Sequence, residues 1–362
     1  MAMKNVSKWC VVLLAVTVLF GCANKEKAIN RKVKQLEDEA GLAIKTQNYE
    51  LAEQKFSAIL ELKPDAEHVK NNLAILYAQF LGKQKKAVEL WEELIKTNPK
   101  NAAYYNNVAG LYWAEQSYDK ALQYYQESIK YHPSYHMPFY NMAQIYMEMN
   151  NMEKAEEMAI KGYNLAPNDA RMNLVYAKVL LIVGKRAEAL AVTEKLRSNY
   201  PNVLLNNLEI SRIHIGDGDY EQAEALLNES LAEFPQNDLL LAELVELGLA
   251  RGDEAEATDK IIQQLEASQA RIFQGWYTVL YNARLTLKNG DPEKAIEQLN
   301  GLSGVIPKEL YYFEGLRLIA LSEAMMTVGR EDEAAKLRGE ALLMCPERLT
   351  KPALQMNGEM TE

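Results

Sequence analysis

Few side chains in this sequence have the types and spacing that catalysis or metal binding requires. The chain has four histidines, His68, His132, His136 and His214, and none belongs to an HExxH pattern, in which two ligands share one helix face. His132 and His136 flank Pro133, which cannot continue a helix interior, so turn or surface positions are a better interpretation than a metal site. The sequence also lacks GxSxG, GxxxxGK and paired CxxC patterns. It therefore predicts a protein without enzymatic activity, metal, other cofactor or small-molecule substrate.

The beginning of the chain has the organisation of a secretory signal. Lys4 and Lys8 precede an apolar run, and the small residue Gly21 comes directly before Cys22. The uncharged run over residues 9–24 is shorter than the roughly 20 residues that a membrane-spanning helix needs. We therefore expect residues 1–21 to be a cleaved signal peptide rather than a membrane span.

The residues around Cys22 resemble a bacterial lipobox, Leu-Phe-Gly-Cys. The resemblance implies that Cys22 becomes the lipidated mature N-terminus and that residues 22–32 form a short tether. Ala23 stands where an aspartate commonly retains Gram-negative lipoproteins in the inner membrane, so we expect the outer membrane, facing the periplasm. An ordinary signal peptide and an uncleaved anchor, each with a chance cysteine, are the alternatives. Cys345 lies beside the last repeat proline and is expected to be a small packing residue rather than a nucleophile.

Any functional side chain is positioned by a structural unit that recurs along the chain. Alanines in matching context are 34 or 35 residues apart over seven copies and 38 and 39 residues apart over the last two. Each copy is predicted to be a helix, a tight turn and a second helix. The first seven copies cover residues 33–268, the last two cover 269–346, and a polar tail covers 347–362. The alanines are Ala52, Ala87, Ala121, Ala155, Ala189, Ala223, Ala257, Ala295 and Ala334, and the closing prolines of the first six copies are Pro64, Pro99, Pro133, Pro167, Pro201 and Pro235.

Glycine–aspartate pairs recur in the turn between the two helices. Gly218 and Gly252 are expected to end first helices in a left-handed conformation, and the aspartate that follows each can cap the second helix. Asp217 and Asp219 also have the spacing of a calcium loop. Because the repeat accounts for Gly218-Asp219, an interhelix turn is the better interpretation.

One copy, Asn101 to Pro133, carries the pattern most fully, and it resembles the tetratricopeptide repeat (TPR). Its residues follow the order aromatic, large-small-x-x-aromatic, aromatic, alanine, aromatic, proline. The resemblance covers nearly the whole mature chain. It implies an all-α TPR solenoid, a right-handed superhelix of about nine helix-turn-helix repeats that holds other proteins. The marks are Tyr105, Val108, Ala109, Tyr112, Tyr118, Ala121, Tyr125 and Pro133.

The resemblance also assigns a partner-binding groove, lined by the second, fifth, ninth, twelfth and thirteenth residues of each repeat. The third to sixth repeats begin at residues 102, 136, 170 and 204. Large apolar residues at these positions either face a partner or pack as core against the neighbouring helix pair, and both alternatives stay open. Asn72, Asn107 and Asn141 share another position, which the pattern places on the helix-packing side. The predicted groove residues are Asn106, Trp113, Met137, Tyr140, Gln144, Met147, Arg171, Leu174, Lys178, Leu181, Leu205 and Arg212.

The net charge of the chain indicates which classes of partner are disfavoured. The net charge of −10 disfavours nucleic-acid binding, which depends on contacts to phosphate. Together, the lipobox and the repeats resemble bacterial TPR lipoproteins of the cell envelope. They imply a scaffold for protein partners, for example in pilus and secretin, outer-membrane or polysaccharide-export assembly, attached to the membrane through Cys22. The alternatives are a soluble periplasmic adaptor without lipid and an accessory subunit of an envelope enzyme or transport complex.

Overall fold

A computed structural model describes residues 25–201, 203–253, 255–268, 273 and 275–348. Within these ranges every regular element is a helix, and strands are absent. The predicted signal peptide, the lipidation residue Cys22 and the tail from 349 onward lie outside the described residues. Residues 25–32, which were expected to belong to the tether, form part of the first helix, α1, over 25–45.

Over the described residues the helices form nine consecutive pairs, and the predicted all-α architecture of about nine helix-turn-helix repeats is confirmed. In the first pair, α1 is followed by α2 (Tyr49–Leu62). Short 3₁₀ turns cover Lys308–Leu310 and Pro346–Arg348. The other pairs are α3 (Glu67–Gln79) with α4 (Gln84–Thr97), α5 (Ala102–Ala114) with α6 (Tyr118–Tyr131), α7 (Met137–Glu148) with α8 (Met152–Leu165), α9 (Ala170–Ile182) with α10 (Arg186–Asn199), α11 (Leu204–Asp217) with α12 (Tyr220–Glu233), α13 (Asp238–Arg251) with α14 (Ala255–Glu266), α15 (Trp276–Lys288) with α16 (Pro292–Gly301), and α17 (Tyr311–Thr327) with α18 (Glu331–Met344).

The recurrent alanine explains how the two helices of a pair approach each other. Ala52, Ala121 and Ala189 lie near the start of second helices and are fully buried. A small side chain at this point lets the backbone of the neighbouring helix come close, so that the larger residues on either side interdigitate. The 34-residue period of the sequence is therefore a period of helix packing.

The turns follow the sequence prediction only in part. Gly218 and Gly252 end first helices with φ of +84° and +86°, the predicted left-handed conformation. Among the aspartates, Asp291 caps its helix by accepting a hydrogen bond from a backbone N–H. Asp219 makes no side-chain cap, because its carboxylate turns toward His214 Nδ1 at 3.6 Å. The capping prediction is thus wrong for Asp219.

The chain divides into two compact units, an N-terminal unit that ends at Pro138 and a C-terminal unit that begins at Phe139. The core of the N-terminal unit is one continuous apolar cluster from α1 to α5. The largest cluster of the C-terminal unit joins α13 to α18. At its centre the ring of Phe273 packs against Trp276, Tyr277 and Phe313, with ring centroids 5.2–5.5 Å apart. Each unit therefore buries its own core.

The close packing of α17 on α18 can be tested at Gly315. Cys345 is buried there, as its predicted packing role requires, and a Cβ on Gly315 would lie 2.5 Å from its Sγ. We expect Gly315→Ala to lower the free energy of unfolding of the C-terminal unit by about 1–3 kcal/mol, because the helices must move apart. Gly339→Ala in α18 is the control, since a Cβ there meets no atom within 4 Å. Urea denaturation followed by circular dichroism measures both variants, and equal midpoints would contradict the close approach.

Candidate protein-binding groove

In the N-terminal unit, the residues at the ninth positions of the first helices are half-buried. With repeats one and two beginning at residues 33 and 67, these positions hold Gly41 in α1, Ile75 in α3 and Gly110 in α5. A Cβ at Gly41 would meet no atom within 4 Å. Packing therefore does not require glycine in this helix, where it costs about 1 kcal/mol relative to alanine. The side of these helices that carries the predicted groove positions is called the groove side below.

A cleft of 490 Å³ lies on the groove side of α1 and α3, above Gly41. Ile44 and Ile75 contribute apolar walls. At one end His68 Nε2 and Glu37 Oε1 lie 2.7 Å apart, which provides a polar group at the rim. Concave sites with apolar walls and a few polar groups are typical binding sites, and this cleft has room for an apolar side chain.

The three asparagines that were predicted to pack between helices differ in burial. Asn141 on α7 is buried, which agrees with the prediction, and Asn107 on α5 is half-buried. Asn72 on α3 is exposed and lines the cleft, so the packing prediction is wrong for this residue.

The predicted groove residues of the N-terminal unit keep part of their surface in solvent. Asn106 and Trp113 lie two turns apart on α5, and both are half-buried. Met137, at the start of α7, is half-buried as well. Intermediate exposure agrees with both alternatives that the sequence left open, contact with a partner and packing against the neighbouring helix pair.

Tyr140, Gln144 and Arg171 form one polar group in the C-terminal unit. Tyr140 is half-buried, and burial raises the pKa of its phenol, while a hydrogen bond with Gln144 and the charge of Arg171 oppose that shift. Arg171 is 61% exposed and lies 3.3 Å from Asp169 at the start of α9. This group therefore places a neutral phenol beside a cation that solvent can reach.

Other predicted groove residues do not form one surface. Met147 and Leu181 are 7% and 1% exposed, so they pack in the core, which is one of the two alternatives that the sequence left open. Leu174 is half-buried, whereas Leu205 is 58% exposed. The difference arises because the neighbouring helices of the C-terminal unit cover some groove positions completely.

A buried ionic network lies on the groove side of α11 and α13. Glu243 and Glu246 of α13 are 0% and 1% exposed. Arg212 of α11 donates from Nε to Glu243 Oε2 at 3.0 Å, and Arg284 of α15 contacts both oxygens of Glu246 at 2.8 and 2.7 Å. Arg348 donates from Nη2 to Glu243 Oε1 at 3.2 Å. Buried carboxylates need such partners, because an unpaired buried charge is costly.

The ninth repeat covers groove positions of the fifth and sixth repeats. Lys178 Nζ lies 4.7 Å from the ring centroid of Tyr311, and the guanidinium carbon of Arg212 lies 3.5 Å from the ring centroid of Tyr312. At these distances a cation is attracted to the ring face. The turn Pro346–Arg348 packs against α9 and α11. Two predicted groove residues, Lys178 and Arg212, are thus in contact with the chain's own last repeat.

The sequence contains a signal for part of this network. In the fifth to eighth repeats the ninth position holds Lys178, Arg212, Glu246 and Arg284, an unbroken row of charges on successive first helices. Extending the groove positions beyond the sixth repeat therefore finds Glu246 and Arg284. No repeat position points to Arg348, whose contact with α13 depends on how the C-terminal unit folds back.

Two further observations concern the parts of the chain that the structure describes. In them, no cluster of three or more histidine, cysteine, aspartate or glutamate side chains is arranged to hold a metal ion. Across the described ranges, no helix combines the length and the apolar character that crossing a membrane requires.

A family model described as coatomer epsilon subunit matches residues 77–274, which is more than half of the chain. This chain belongs to the coatomer epsilon subunit family. The matched part of this coatomer epsilon family member begins within α3 and includes the predicted groove residues and both buried glutamates, Glu243 and Glu246. No curated protein matches the sequence.

Several solved structures are similar to this coatomer epsilon family member at low sequence identity. PilF of Pseudomonas aeruginosa is 18% identical, with 60% of this chain and 99% of PilF covered and a TM-score of 0.47. PilW, a type IV pilus biogenesis factor, is 22% identical, with 56% and 92% covered and a TM-score of 0.46. A TPR protein from Parabacteroides merdae is 14% identical, with 91% and 99% covered and a TM-score of 0.41. The predicted TPR fold is confirmed by the nine helix pairs of the described chain, which follow one another in the predicted order.

Proposed function

We propose that this chain is a non-enzymatic scaffold of the cell envelope, which binds a segment of a partner protein on the groove side of its N-terminal unit. The observation that carries the proposal is the cleft of 490 Å³ above Gly41, which has apolar walls at Ile44 and Ile75 and polar side chains at His68 and Glu37. Membership of a family named for a coatomer subunit supports protein partners, because a subunit works within an assembly.

The second part of the proposal is the membrane anchor at Cys22. It is supported by the basic start, the short apolar run and the lipobox-like residues before Cys22. Because Ala23 rather than an aspartate follows Cys22, the proposed membrane is the outer membrane, with the scaffold facing the periplasm. Its partners are then components of envelope assembly or secretion.

Crosslinking in living cells tests the partner-binding groove. A photo-crosslinking residue at Asn72 or Asn106 is expected to capture one partner protein, which mass spectrometry then identifies. The control is the same residue at Gln126, which is exposed on α6, a second helix. Equal capture from all three positions would overturn the groove as the binding site, because a specific partner covers one side of a repeat and not the other.

The variant Cys22→Ala tests the anchor. We expect the protein to leave the membrane fraction and to lose the mass of its acyl chains, since a lipidated cysteine requires the thiol. The control is Cys10→Ala, which alters the apolar run and leaves Cys22 in place. Retention of Cys22→Ala in the membrane with an unshifted mass would contradict lipidation and favour the soluble adaptor or an uncleaved anchor.

A further inference from the structure

The buried carboxylates of α13 have cationic partners beyond the arginines of the two adjacent first helices. Glu243 pairs with Arg212 and Glu246 pairs with Arg284, and these arginines come from the first helices on either side. Arg212 also lies 3.9 Å from Glu209 Oε2, so three carboxylates share these two arginines. A third arginine, Arg348, enters from the end of the described chain, and its side chain is only 9% exposed.

The site that receives Arg348 matches the geometry of a guanidinium group. Nε donates to the phenol oxygen of Tyr312 at 2.8 Å, and Nη2 donates to Glu243 Oε1 at 3.2 Å and lies 3.8 Å from Glu246 Oε2. The Tyr312 hydroxyl in turn donates to Glu243 Oε1 at 3.1 Å. A planar fork of donors satisfies these acceptors together, whereas the ammonium of a lysine is a single point charge.

The site lies next to groove positions of the fifth and sixth repeats, so its occupation affects access to the groove side. The turn that carries Arg348 packs on α9 and α11, and the neighbouring residues Tyr311 and Tyr312 lie over Lys178 and Arg212. Lys178 and Arg212 occupy groove positions. The turn of Arg348 and the start of α17 together cover groove positions of the fifth and sixth repeats.

We propose that Glu243, Glu246 and Tyr312 form an arginine-receptor site, which Arg348 occupies in the resting chain and which an arginine of a partner protein takes over on binding. The partner segment therefore carries an exposed arginine, and its binding releases the last turn from α9 and α11. This proposal extends the proposed function to the C-terminal unit, and it rests on that function because it assumes that the groove side of the repeats holds protein segments.

The buried thiol of Cys345 reports whether Arg348 holds the last turn in place. Cys345 is fully buried and lies three residues before Arg348. In Arg348→Ala, alkylation of Cys345 by iodoacetamide is expected to speed up by at least about tenfold, because removing one member of a buried ionic group favours local opening. Peptide-resolved mass spectrometry measures the rate at Cys345 alone. Arg330→Ala, which removes an exposed pair with Glu333 at the start of α18, is the control and should leave the rate unchanged.

Added cations test the chemistry of the site in the same variant. Ethylguanidinium is expected to restore the slow alkylation of Cys345 in Arg348→Ala, and ethylammonium is not. Arg348→Lys keeps the charge, and its Cys345 is expected to be alkylated nearly as fast as that of the alanine variant. If Arg348→Ala fails to fold, the alkylation rate in Arg348→Lys tests the proposal in its place. Protection in Arg348→Lys equal to that of the natural chain, or equal rescue by both cations, would overturn an arginine-specific site.

A peptide from the chain itself tests the takeover. A fluorescein-labelled peptide with the sequence of residues 341–350 is expected to bind Arg348→Ala at least about tenfold more tightly than the natural chain, whose site is filled. The same peptide with alanine in place of its arginine should bind neither. Equal binding of the peptide to both proteins, or equal binding of both peptides, would overturn competition for the site. Neither outcome affects the crosslinking test at Asn72, so failure of this proposal is distinguishable from failure of the proposed function.

Discussion

Glu243→Ala is expected to lower the free energy of unfolding of the C-terminal unit by about 3–5 kcal/mol, the cost of breaking a buried ion pair from one side. The Glu243 carboxylate is fully buried, and it accepts hydrogen bonds from Arg212, Tyr312 and Arg348. Without this carboxylate, the buried guanidinium groups of Arg212 and Arg348 lose a hydrogen-bond acceptor. Urea denaturation followed by circular dichroism measures the change.

Two comparisons make this prediction specific. Glu224→Ala removes a carboxylate that is 42% exposed and paired with Arg251 at 2.7 Å, and it should change stability by less than about 1 kcal/mol. Arg348→Ala is expected to cost less in the Glu243→Ala background than alone, because the two side chains belong to one network. If Glu243→Ala is no more destabilising than Glu224→Ala, the network does not hold the unit together.

The fold was predictable because its determinants are local. Ala52, Ala121 and Ala189 mark the close approach of two helices that are separated by one short turn, so a fixed period in the sequence becomes a fixed period in space. The left-handed glycines Gly218 and Gly252 end helices through backbone geometry alone. Neither feature depends on what lies on the other side of the molecule.

The groove was less predictable because exposure depends on residues far away in the chain. Position rules place Met147 and Leu181 on the groove side, yet neighbouring helices bury both. The contact of Arg348 with Glu243 joins residues 105 positions apart, and no repeat period relates them. Sequence reasoning therefore predicts which side of the repeat binds, whereas the packing of each unit decides which residues on that side remain exposed.

The second large effect is expected from filling the cleft of the N-terminal unit. Gly41→Trp places an indole where a Cβ meets no atom within 4 Å, above the walls formed by Ile44 and Ile75. Because its Cβ meets no atom and the cleft of 490 Å³ offers space for the ring, the variant should fold. The indole takes the space for a partner side chain, so capture of the partner from Asn72 should fall by at least about tenfold, the effect of losing one central contact.

Two matched variants separate blocking of the cleft from a change in stability. Gly41→Ala should raise the free energy of unfolding by about 0.5–1 kcal/mol, because alanine favours the helix, and it should leave capture intact because the cleft stays open. Gln54→Trp adds the same indole to an exposed position of α2 and should also leave capture intact. Full capture in Gly41→Trp would show that the partner does not enter this cleft. Loss of capture in Gln54→Trp as well would mean that an added indole acts without regard to position, and the partner would then have to be sought on another face of the N-terminal unit.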